Sequence, residues 1–307
     1  MSSADDIIVA QARMMFCASC GKSELDGIRL TECDECNSVR YCSDACQEYH
    51  RSKHEVKCKE YQEAHQAAAL RDEILFRLPE GRHLGDCPIC FLPLPIDLMQ
   101  STYHSCCTKM ICNGCEHEFM KRLFRENIRD KKCPFCRHSL SRINEEAQKN
   151  LMKRAAVNDP FALQQIGAKH LTEGDYESAF KYFTKAAELG DAHAHYCLSA
   201  MYLNGDGVEK DEKKEIYHLE EAAIQGHAFA RHSLGVLEGS IDRAVKHFII
   251  AASLGYDRSM QTLKEAYKAG DVSKEDYAAT LRAHHAAVAE TKSEQREEAT
   301  KADREAL

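Results

Sequence analysis

Fifteen of the sixteen cysteines in the chain lie between Cys17 and Cys136, most of them in C-x2-C or C-x3-C pairs. Two thiolates at these spacings can chelate one tetrahedral ion. A disulfide scaffold is the alternative for a cysteine-rich chain, but it is typical of secreted proteins. The N-terminus, MSSADDIIVAQARMMF, lacks a basic segment followed by an apolar one. The pairs therefore predict zinc binding, in two separate clusters.

The first cluster covers residues 17–58 and reads C-x2-C-x12-C-x2-C-x5-C-x3-C-x7-H-x3-C. It contains eight potential ligands, the number that two closed tetrahedral sites require. They are Cys17, Cys20, Cys33, Cys36, Cys42, Cys46, His54 and Cys58. A segment this short buries little apolar surface, so bound metal must supply most of its stability, on the order of 10–16 kcal/mol per site.

This spacing, together with the Tyr41-Cys42 and Cys46-Gln47 pairs, resembles the MYND finger. The resemblance implies interleaved ligation, with one zinc on Cys17, Cys20, Cys42 and Cys46 and the other on Cys33, Cys36, His54 and Cys58. Fingers of this family often bind proline-containing peptides between a glutamine and a tryptophan four residues later. Here Gln47 is followed by Arg51, and the chain has no tryptophan. A peptide reader and a zinc-stabilised packing domain are both open interpretations.

The second cluster covers residues 87–136 and reads C-x2-C-x15-CC-x4-C-x2-C-x17-C-x2-C. One complete set of ligands is Cys87, Cys90, Cys112 and Cys115. A second set uses Cys133 and Cys136 with two ligands from the Cys106 region. The pattern resembles a RING finger, but Lys109 stands where that family has histidine or cysteine, and a protonated amine is a poor ligand. We predict Cys106 and Cys107 as the missing ligands, with His104 as a substitute, and one or two zinc ions in this cluster.

Fingers of the RING type bind a ubiquitin-conjugating enzyme, and the resemblance implies where this chain would do so. The candidate contacts are Ile89, Phe119, Pro134 and Arg137, the last being a guanidinium that can bridge two carbonyls. The alternative is that the two apolar residues are core of a small domain and that the arginine is a solvated charge.

Related blocks recur in the second half of the chain: AAELG at Ala186, AAIQG at Ala222 and AASLG at Ala251. Each block follows a helix-like run and ends in a glycine that can terminate a helix. One unit is thus predicted to be two short helices, which must stack on neighbours to bury their apolar faces. With LNGDGV at Leu203–Val208, these units resemble Sel1-like repeats, relatives of the tetratricopeptide family, over residues 159–285.

The predicted fold is two small zinc-stabilised α+β modules, MYND-like and cross-braced RING-like, followed by an all-α helical-repeat solenoid. Its order is N-terminal segment 1–16, MYND-type finger 17–58, helical connector 59–86, RING-type finger 87–137, linker 138–158, Sel1-like repeats 159–285 and charged tail 286–307. The histidines of the repeats are expected at the surface or between helices rather than as ligands.

Charge and chemistry restrict the function. The net charge of −8 argues against a nucleic-acid-binding protein. No apolar run is long enough to cross a bilayer, and we expect a soluble intracellular protein, cytoplasmic or nuclear. Four-ligand zinc sites leave no open position for a reacting water, and no other enzyme site is visible in the sequence, so we expect the chain to have no catalytic residue of its own. The leading hypothesis is a RING-type ubiquitin ligase whose first finger and repeats choose target proteins. The alternative is a non-catalytic adaptor or scaffold, which Lys109 favours.

Overall fold

The computed structural model describes residues 16–140 and 144–305. The chain divides into two compact units, Met1–Leu75 and Phe76–Leu307, which are described separately. Apart from Phe16, the predicted N-terminal segment 1–16 lies outside the described residues. Among the helices in the described ranges, none combines the length and the apolar character that crossing a membrane requires.

The first unit consists of a short hairpin followed by one long helix. Strands β1 (Thr31–Glu32) and β2 (Arg40–Tyr41) pair antiparallel, and helix α1 spans Asp44–Leu75. The Ser43 hydroxyl accepts a hydrogen bond from the Cys46 N–H at 3.3 Å, which caps the start of the helix. Helix α1 runs without interruption across the predicted boundary between finger and connector, because the connector is rich in alanine, glutamate and glutamine.

The second unit begins with a cysteine-rich module. Strands β3 (Ser101–His104) and β4 (Lys109–Cys112) form a hairpin, and helix α2 (Asn113–Arg125) follows directly. Its buried core consists of Cys87, Leu94, Ile111, Cys112 and Cys115. Because β4 ends where α2 begins, Cys112 and Cys115 lie on either side of one strand–helix junction.

Four helix pairs form the repeat region of the described chain. They are α4 (Pro160–Thr172) with α5 (Tyr176–Glu188), α6 (Ala192–Asn204) with α7 (Glu212–Ile224), α8 (Ala228–Leu237) with α9 (Ile241–Ser253), and α10 (Asp257–Ala269) with α11 (Lys274–Glu290). The two further helices are α3 (Asn144–Ala156), which precedes the pairs, and α12 (Glu294–Glu305), which follows them. The zinc-module and repeat-solenoid fold predicted from the sequence is confirmed.

Local sequence explains why these helices begin, end and pack as they do. Four of them, α4 to α7, begin after an aspartate whose carboxylate accepts an N–H three residues later at 2.7–3.1 Å: Asp159, Asp175, Asp191 and Asp211. Gly190, Gly226 and Gly255 follow α5, α7 and α9 with positive φ, as the recurring glycine predicts. The alanines that open the recurring blocks, Ala186, Ala222 and Ala251, are fully buried, which allows neighbouring helices to approach closely.

The predicted linker 138–158 differs from the structure. Most of it is helix α3, in which Leu151 and Ala155 are buried in the same apolar cluster as Leu163 and Phe183 of the repeats. These two residues lie four apart and therefore share one face of the helix. Helix α3 is thus part of the repeat core. Residues 141–143 of the predicted linker lie outside the described part of the chain.

The predicted charged tail 286–307 also differs. Helix α11 extends to Glu290, and α12 packs against α2 of the cysteine-rich module. On α12, Arg296 and Ala299 are 9% and 2% exposed, so two buried residues anchor a helix whose composition is otherwise charged. The described residues of this tail, up to 305, are therefore mostly helical, and α12 packs on the module.

Candidate metal centres

Four groups of four ligand atoms lie within 4.8 Å of one another in the two cysteine-rich regions. Centre 1 is Cys17, Cys20, Cys42 and Cys46; centre 2 is Cys33, Cys36, His54 and Cys58; centre 3 is Cys87, Cys90, Cys112 and Cys115; centre 4 is Cys106, Cys107, Cys133 and Cys136. The structure thus brings together every ligand set proposed from the sequence, including the interleaved pairing within residues 17–58.

Centre 1 is assembled by the hairpin and the start of α1. The sulfur of Cys42, which directly follows β2, lies 3.5 Å from the sulfur of Cys20 and 3.5 Å from that of Cys46 on α1. Cys17 is buried, and its main chain bridges to Arg40 of β2. The hairpin therefore carries an early cysteine pair and a late pair to the same point.

Centre 2 uses one turn of α1. His54 and Cys58 lie four apart on this helix and face Cys33 and Cys36. The Cys36 sulfur is 3.3 Å from His54 Nε2, and the Cys33 sulfur is 4.0 Å from that of Cys58. Burial lowers the pKa of His54, which keeps its imidazole neutral and able to bind a cation.

Centres 3 and 4 belong to the second module. In centre 3 the sulfurs of Cys90 and Cys112 are 3.8 Å apart. Centre 4 is the set whose ligands were ambiguous from the sequence. Its Cys107 sulfur lies 3.7 Å from that of Cys133, and the sulfurs of Cys106 and Cys136 are 3.3 Å apart.

The residues that compete for centre 4 in the sequence lie outside it. Lys109 is exposed on β4, opposite His104 in the strand register. His104 is buried with its Nε2 3.5 Å from a carboxylate oxygen of Glu116. The neighbouring pair Cys106 and Cys107 therefore fills the positions that Lys109 leaves without a ligand.

A backbone feature that the sequence did not reveal is common to four of the five C-x2-C pairs, all except Cys112–Cys115. In each of these four pairs, the residue four positions after the first cysteine has a positive φ and donates its N–H to the carbonyl of that cysteine, at 2.8–3.0 Å. These residues are Gly21, Asn37, Phe91 and Arg137. The turn folds both cysteines toward one point. Of these residues, only Gly21, which has no Cβ, and Asn37 belong to types that favour a positive φ. Only these two positions therefore indicated a turn in the sequence.

Sulfur–sulfur distances distinguish metal binding from disulfide formation. All the cysteines are free, and the separations given above lie between 3.3 and 4.0 Å. A disulfide requires about 2.05 Å. Sulfurs about 2.3 Å from a zinc ion at the centre of a tetrahedron are about 3.8 Å apart. The donor sets therefore fit zinc, with Cys and His as its preferred ligands.

The thiol pKa values show what a cation would change. Burial raises the pKa of Cys17, but hydrogen bonds from the backbone of Cys20 and Cys42 outweigh this and bring it to about 6. A hydrogen bond from the Cys112 thiol lowers the pKa of Cys87 to about 4, whereas the pKa of Cys112 itself is strongly raised. Four adjacent thiols therefore do not all ionise by themselves, and a divalent cation stabilises the fully deprotonated set.

The four residues proposed to contact a conjugating enzyme all lie on the second module. Ile89 is 40% exposed, and Pro134 and Arg137 are also exposed. Phe119 is half-buried on α2. No contact described in the structure joins these four side chains into one surface.

Three imidazoles form a further group in the second unit: His83, His193 and His227. The Nδ1 of His227 accepts the N–H of Ala230 at 3.2 Å, which places the ring proton on Nε2. This Nε2 lies 3.1 Å from Nδ1 of His193 and donates to it. A metal ion on Nε2 would have to replace that proton while Nδ1 stays occupied, which a neutral imidazole does not allow. We interpret this group as hydrogen-bonded packing.

Two stretches of the chain match known families. Residues 17–58 match the MYND finger, and residues 164–191, 192–227 and 230–256 match the Sel1 repeat. The chain therefore contains a MYND finger and Sel1 repeats, which confirms both resemblances. The matches do not show a RING-type finger, and that resemblance rests on the cysteine clusters of residues 87–136 alone.

Similar proteins match only part of this chain. DAP3-binding cell death enhancer 1 of Rattus norvegicus is 32% identical over 169 residues, which cover 41% of this chain and 33% of that protein. Chitin synthase regulatory factor 4 of Schizosaccharomyces pombe is 31% identical over 86 residues, 27% of this chain and 14% of that protein. The crystal structure of a Sel1 repeat protein from Oxalobacter formigenes aligns with 22% identity and a TM-score of 0.43, covering 56% of this chain and 72% of that one. The chain spans a third or less of the curated relatives named here.

Proposed function

We propose that this zinc-finger and Sel1-repeat protein is a non-catalytic adaptor that joins protein partners. The observation that carries the proposal is the closure of the candidate centres. Each of the four groups supplies four protein ligands, so a bound zinc would have no position for water or substrate and would be structural. Stacked helical repeats present long surfaces that suit protein binding. Closed zinc sites suit an adaptor and a RING-type ligase alike. The adaptor alternative has more support because the family matches cover a MYND finger and Sel1 repeats and do not show a RING finger.

We assign the repeats' partner surface to the turns inside the helix pairs. Gly207, between α6 and α7, lies so close to Tyr176 at the start of α5 that a Cβ at position 207 would be 2.9 Å from its backbone. Neighbouring turns thus stack along one edge. Apolar residues are exposed in and beside these turns: Leu203 by 53%, Val236 by 65% and Ile241 by 61%. Exposed apolar residues grouped along an edge mark contact with a protein.

The MYND finger supplies a second surface. A groove of about 900 Å³ lies beside centre 2 and is lined by Gln47, Arg51 and the buried Tyr41 together with the candidate ligands Cys33, His54 and Cys58. Five carboxylates line it, against the two cations Arg51 and Lys59: Asp34, Glu35, Asp44, Glu48 and Glu55. The groove has no tryptophan like that of the peptide-binding fingers, and its tyrosine, Tyr41, is buried, so it offers little aromatic surface to a proline. Its charge favours an extended peptide that carries basic side chains.

The adaptor proposal is tested by separating the two surfaces in the full chain. Proteins bound to the wild type are quantified after cross-linking, beside Ile241→Asp for the repeat edge and Glu48→Lys for the finger. We expect each variant to lose a different set of partners while keeping the other set. Leu189→Asp, which changes an exposed apolar residue at the opposite end of α5, is the matched control. The proposal fails if both surface variants retain every partner of the wild type.

A ubiquitin ligase is the second candidate function, and the exposure of Ile89, Pro134 and Arg137 beside zinc ligands favours keeping it. Self-ubiquitination by the zinc-loaded chain, measured with a broad panel of conjugating enzymes, separates the two candidates. The adaptor proposal predicts no transfer. Zinc-dependent transfer that Ile89→Ala and Arg137→Ala each reduce, without loss of zinc, would establish the ligase instead.

A further inference from the structure

We propose that Arg296, on the C-terminal helix α12, is a positioning residue of centre 3 and that α12 controls how tightly this centre holds its metal. The inference rests on zinc binding by Cys87, Cys90, Cys112 and Cys115, as proposed above. The proposal assigns a function to helix α12. This helix is far from the cysteines in the sequence, and its charged composition is typical of a solvated tail.

The guanidinium of Arg296 is bonded directly to the ligand turn. Its Nη2 lies 3.4 Å from the Cys90 sulfur and donates to the carbonyl of Leu92 at 3.2 Å. Its Nη1 donates to the carbonyls of Pro93 and Thr291 at 2.8 Å each. Since Arg296 is 9% exposed, these bonds are shielded from water. The arginine thus ties the turn that follows Cys87 to the start of α12.

A second and independent observation places the backbone of α12 against the other half of the centre. Gly114 lies between the ligands Cys112 and Cys115 at the start of α2. A Cβ at position 114 would be 2.7 Å from the backbone nitrogen of Arg296 and 2.9 Å from its Cα. Only glycine allows this approach. At the far end of the contact, Lys121 and Glu298 form an ion pair at 2.9 Å.

The chemistry follows from charge. Four thiolates around one divalent zinc carry a net charge of −2, and here this charge is partly buried in the protein. A guanidinium within hydrogen-bond distance of Cys90 offsets it and holds that ligand in place. Partners of this kind, outside the ligands themselves, typically change metal affinity by about 10–100-fold. The other three centres have no arginine bonded to a ligand sulfur in the hydrogen bonds described for the structure.

The test uses the full zinc-loaded chain and measures release of zinc to a chromogenic chelator. Arg296→Gln is compared with Arg296→Lys, which keeps the charge, and with Lys301→Gln, an exposed control on the same helix. Cys115→Ser identifies the phase that belongs to centre 3. We expect Arg296→Gln to accelerate this phase by about 10–100-fold, Arg296→Lys to restore part of the loss, and the control to match the wild type.

Spectroscopy separates a positioning role from simple loss of structure. With cobalt in place of zinc, Arg296→Gln should shift the sulfur-to-cobalt charge-transfer band of centre 3 while the helical circular dichroism stays unchanged. If Arg296→Gln loses helical signal, Gly114→Ala replaces it as the test variant. The added methyl group moves α12 away from α2 without changing the Arg296 side chain, so Gly114→Ala should also accelerate zinc release from centre 3.

Two failures are distinguishable. If Cys115→Ser releases zinc as the wild type does, the wild type holds no metal at centre 3. The proposal that centre 3 binds zinc is then wrong. A wild type that holds zinc there, with release unaffected by Arg296→Gln and Gly114→Ala, overturns only the role of α12.

Discussion

The two cysteine-rich modules use the same local device in different settings. Both present eight candidate ligands in two groups of four, and in both two C-x2-C pairs fold through a turn with a left-handed residue. The first module adds only a two-residue hairpin and one helix, and its core is mostly cysteine. The second adds a longer hairpin and packs on other parts of its unit. Donor spacing thus sets the metal geometry, while the surroundings set how far the module depends on metal.

The packing of the second module is visible in named contacts. The Thr108 hydroxyl donates to the Asp159 carboxylate at 2.6 Å, and the ring of Tyr103 packs against that of Phe161 at 5.2 Å between centroids. Together with Arg296, these contacts join the module to both ends of the repeat region. The module is therefore expected to keep part of its structure where the first would lose all of it.

Metal removal should produce the largest difference in stability between the two cysteine-rich modules. With a strong chelator, we expect residues 16–58 to lose their protection against amide hydrogen exchange, because bound metal supplies on the order of 10–16 kcal/mol per site. Helices α4–α11 should stay protected, and β3–β4 should show an intermediate effect. Equal protection of both modules after chelation would show that they depend on metal to the same extent and would contradict this expectation.

A core substitution in the repeats should destabilise the repeats and leave the first finger unaffected. Phe183 is fully buried, and its ring lies 2.9 Å from the position of a Cβ on Gly167. Phe183→Ala should lower the free energy of unfolding of the repeats by about 3–5 kcal/mol, measured by urea denaturation. The zinc content of the first finger should not change. Tyr217→Ala, at a 51% exposed position, is the control and should cost less than about 0.5 kcal/mol.

The repeats should also depend on pH through a buried histidine. Burial, and then the charges of Arg231 and Arg243, lower the pKa of His247 to about 3. Its pKa in the unfolded chain is near 6.5, so the unfolded state binds the proton first. The stabilisation from the neutral ring is complete above about pH 6.5 and is lost as the pH falls toward 3.

Hydrogen exchange in α8 and α9 between pH 7 and pH 4 measures this dependence. His247→Gln should flatten it, whereas His285→Gln, at an exposed position, should leave it as in the wild type. If His247→Gln leaves the pH dependence of exchange in α8 and α9 unchanged, groups other than His247 cause it.

The smallest expected effect concerns the left-handed residues of the C-x2-C turns, which occur in both modules. Arg137 has a φ of 59°, a conformation that costs a side-chain-bearing residue roughly 1–2 kcal/mol. Arg137→Gly should raise the stability of the second module by up to about 1 kcal/mol, since glycine also loses more entropy on folding. Asn37→Gly in the first finger should gain less, because asparagine tolerates this region. A loss of stability in Arg137→Gly would show that the side chain itself stabilises the turn.

Much of the candidate site could be predicted because zinc ligation is a local property of cysteine spacing. The resemblance of residues 17–58 to the MYND finger implied their interleaved pairing. Counting the donors left over once Lys109 is set aside pointed to Cys106 and Cys107. The left-handed conformation of Phe91 and Arg137 could not be predicted, since neither side chain favours it. Helix α12 was missed because Arg296 looks like any solvated cation until its partners, some two hundred residues earlier, are known.

The repeat region shows a similar division. Helix pairs could be read from the recurring Ala-Ala blocks and their glycines, which act within a few residues. Helix α3 lacks such a block, and only the four-residue spacing of Leu151 and Ala155 indicates its buried face. Its place in the core depends on contacts with α4 that no local pattern encodes.

Native mass spectrometry of the full chain counts the metal ions and so shows whether each of the four closed groups holds one zinc. We expect four zinc ions on the wild type, every cysteine reduced, and three zinc ions after Cys107→Ser. A wild type that carries three ions and keeps all three in Cys107→Ser would contradict this prediction, as would cysteines paired in disulfides.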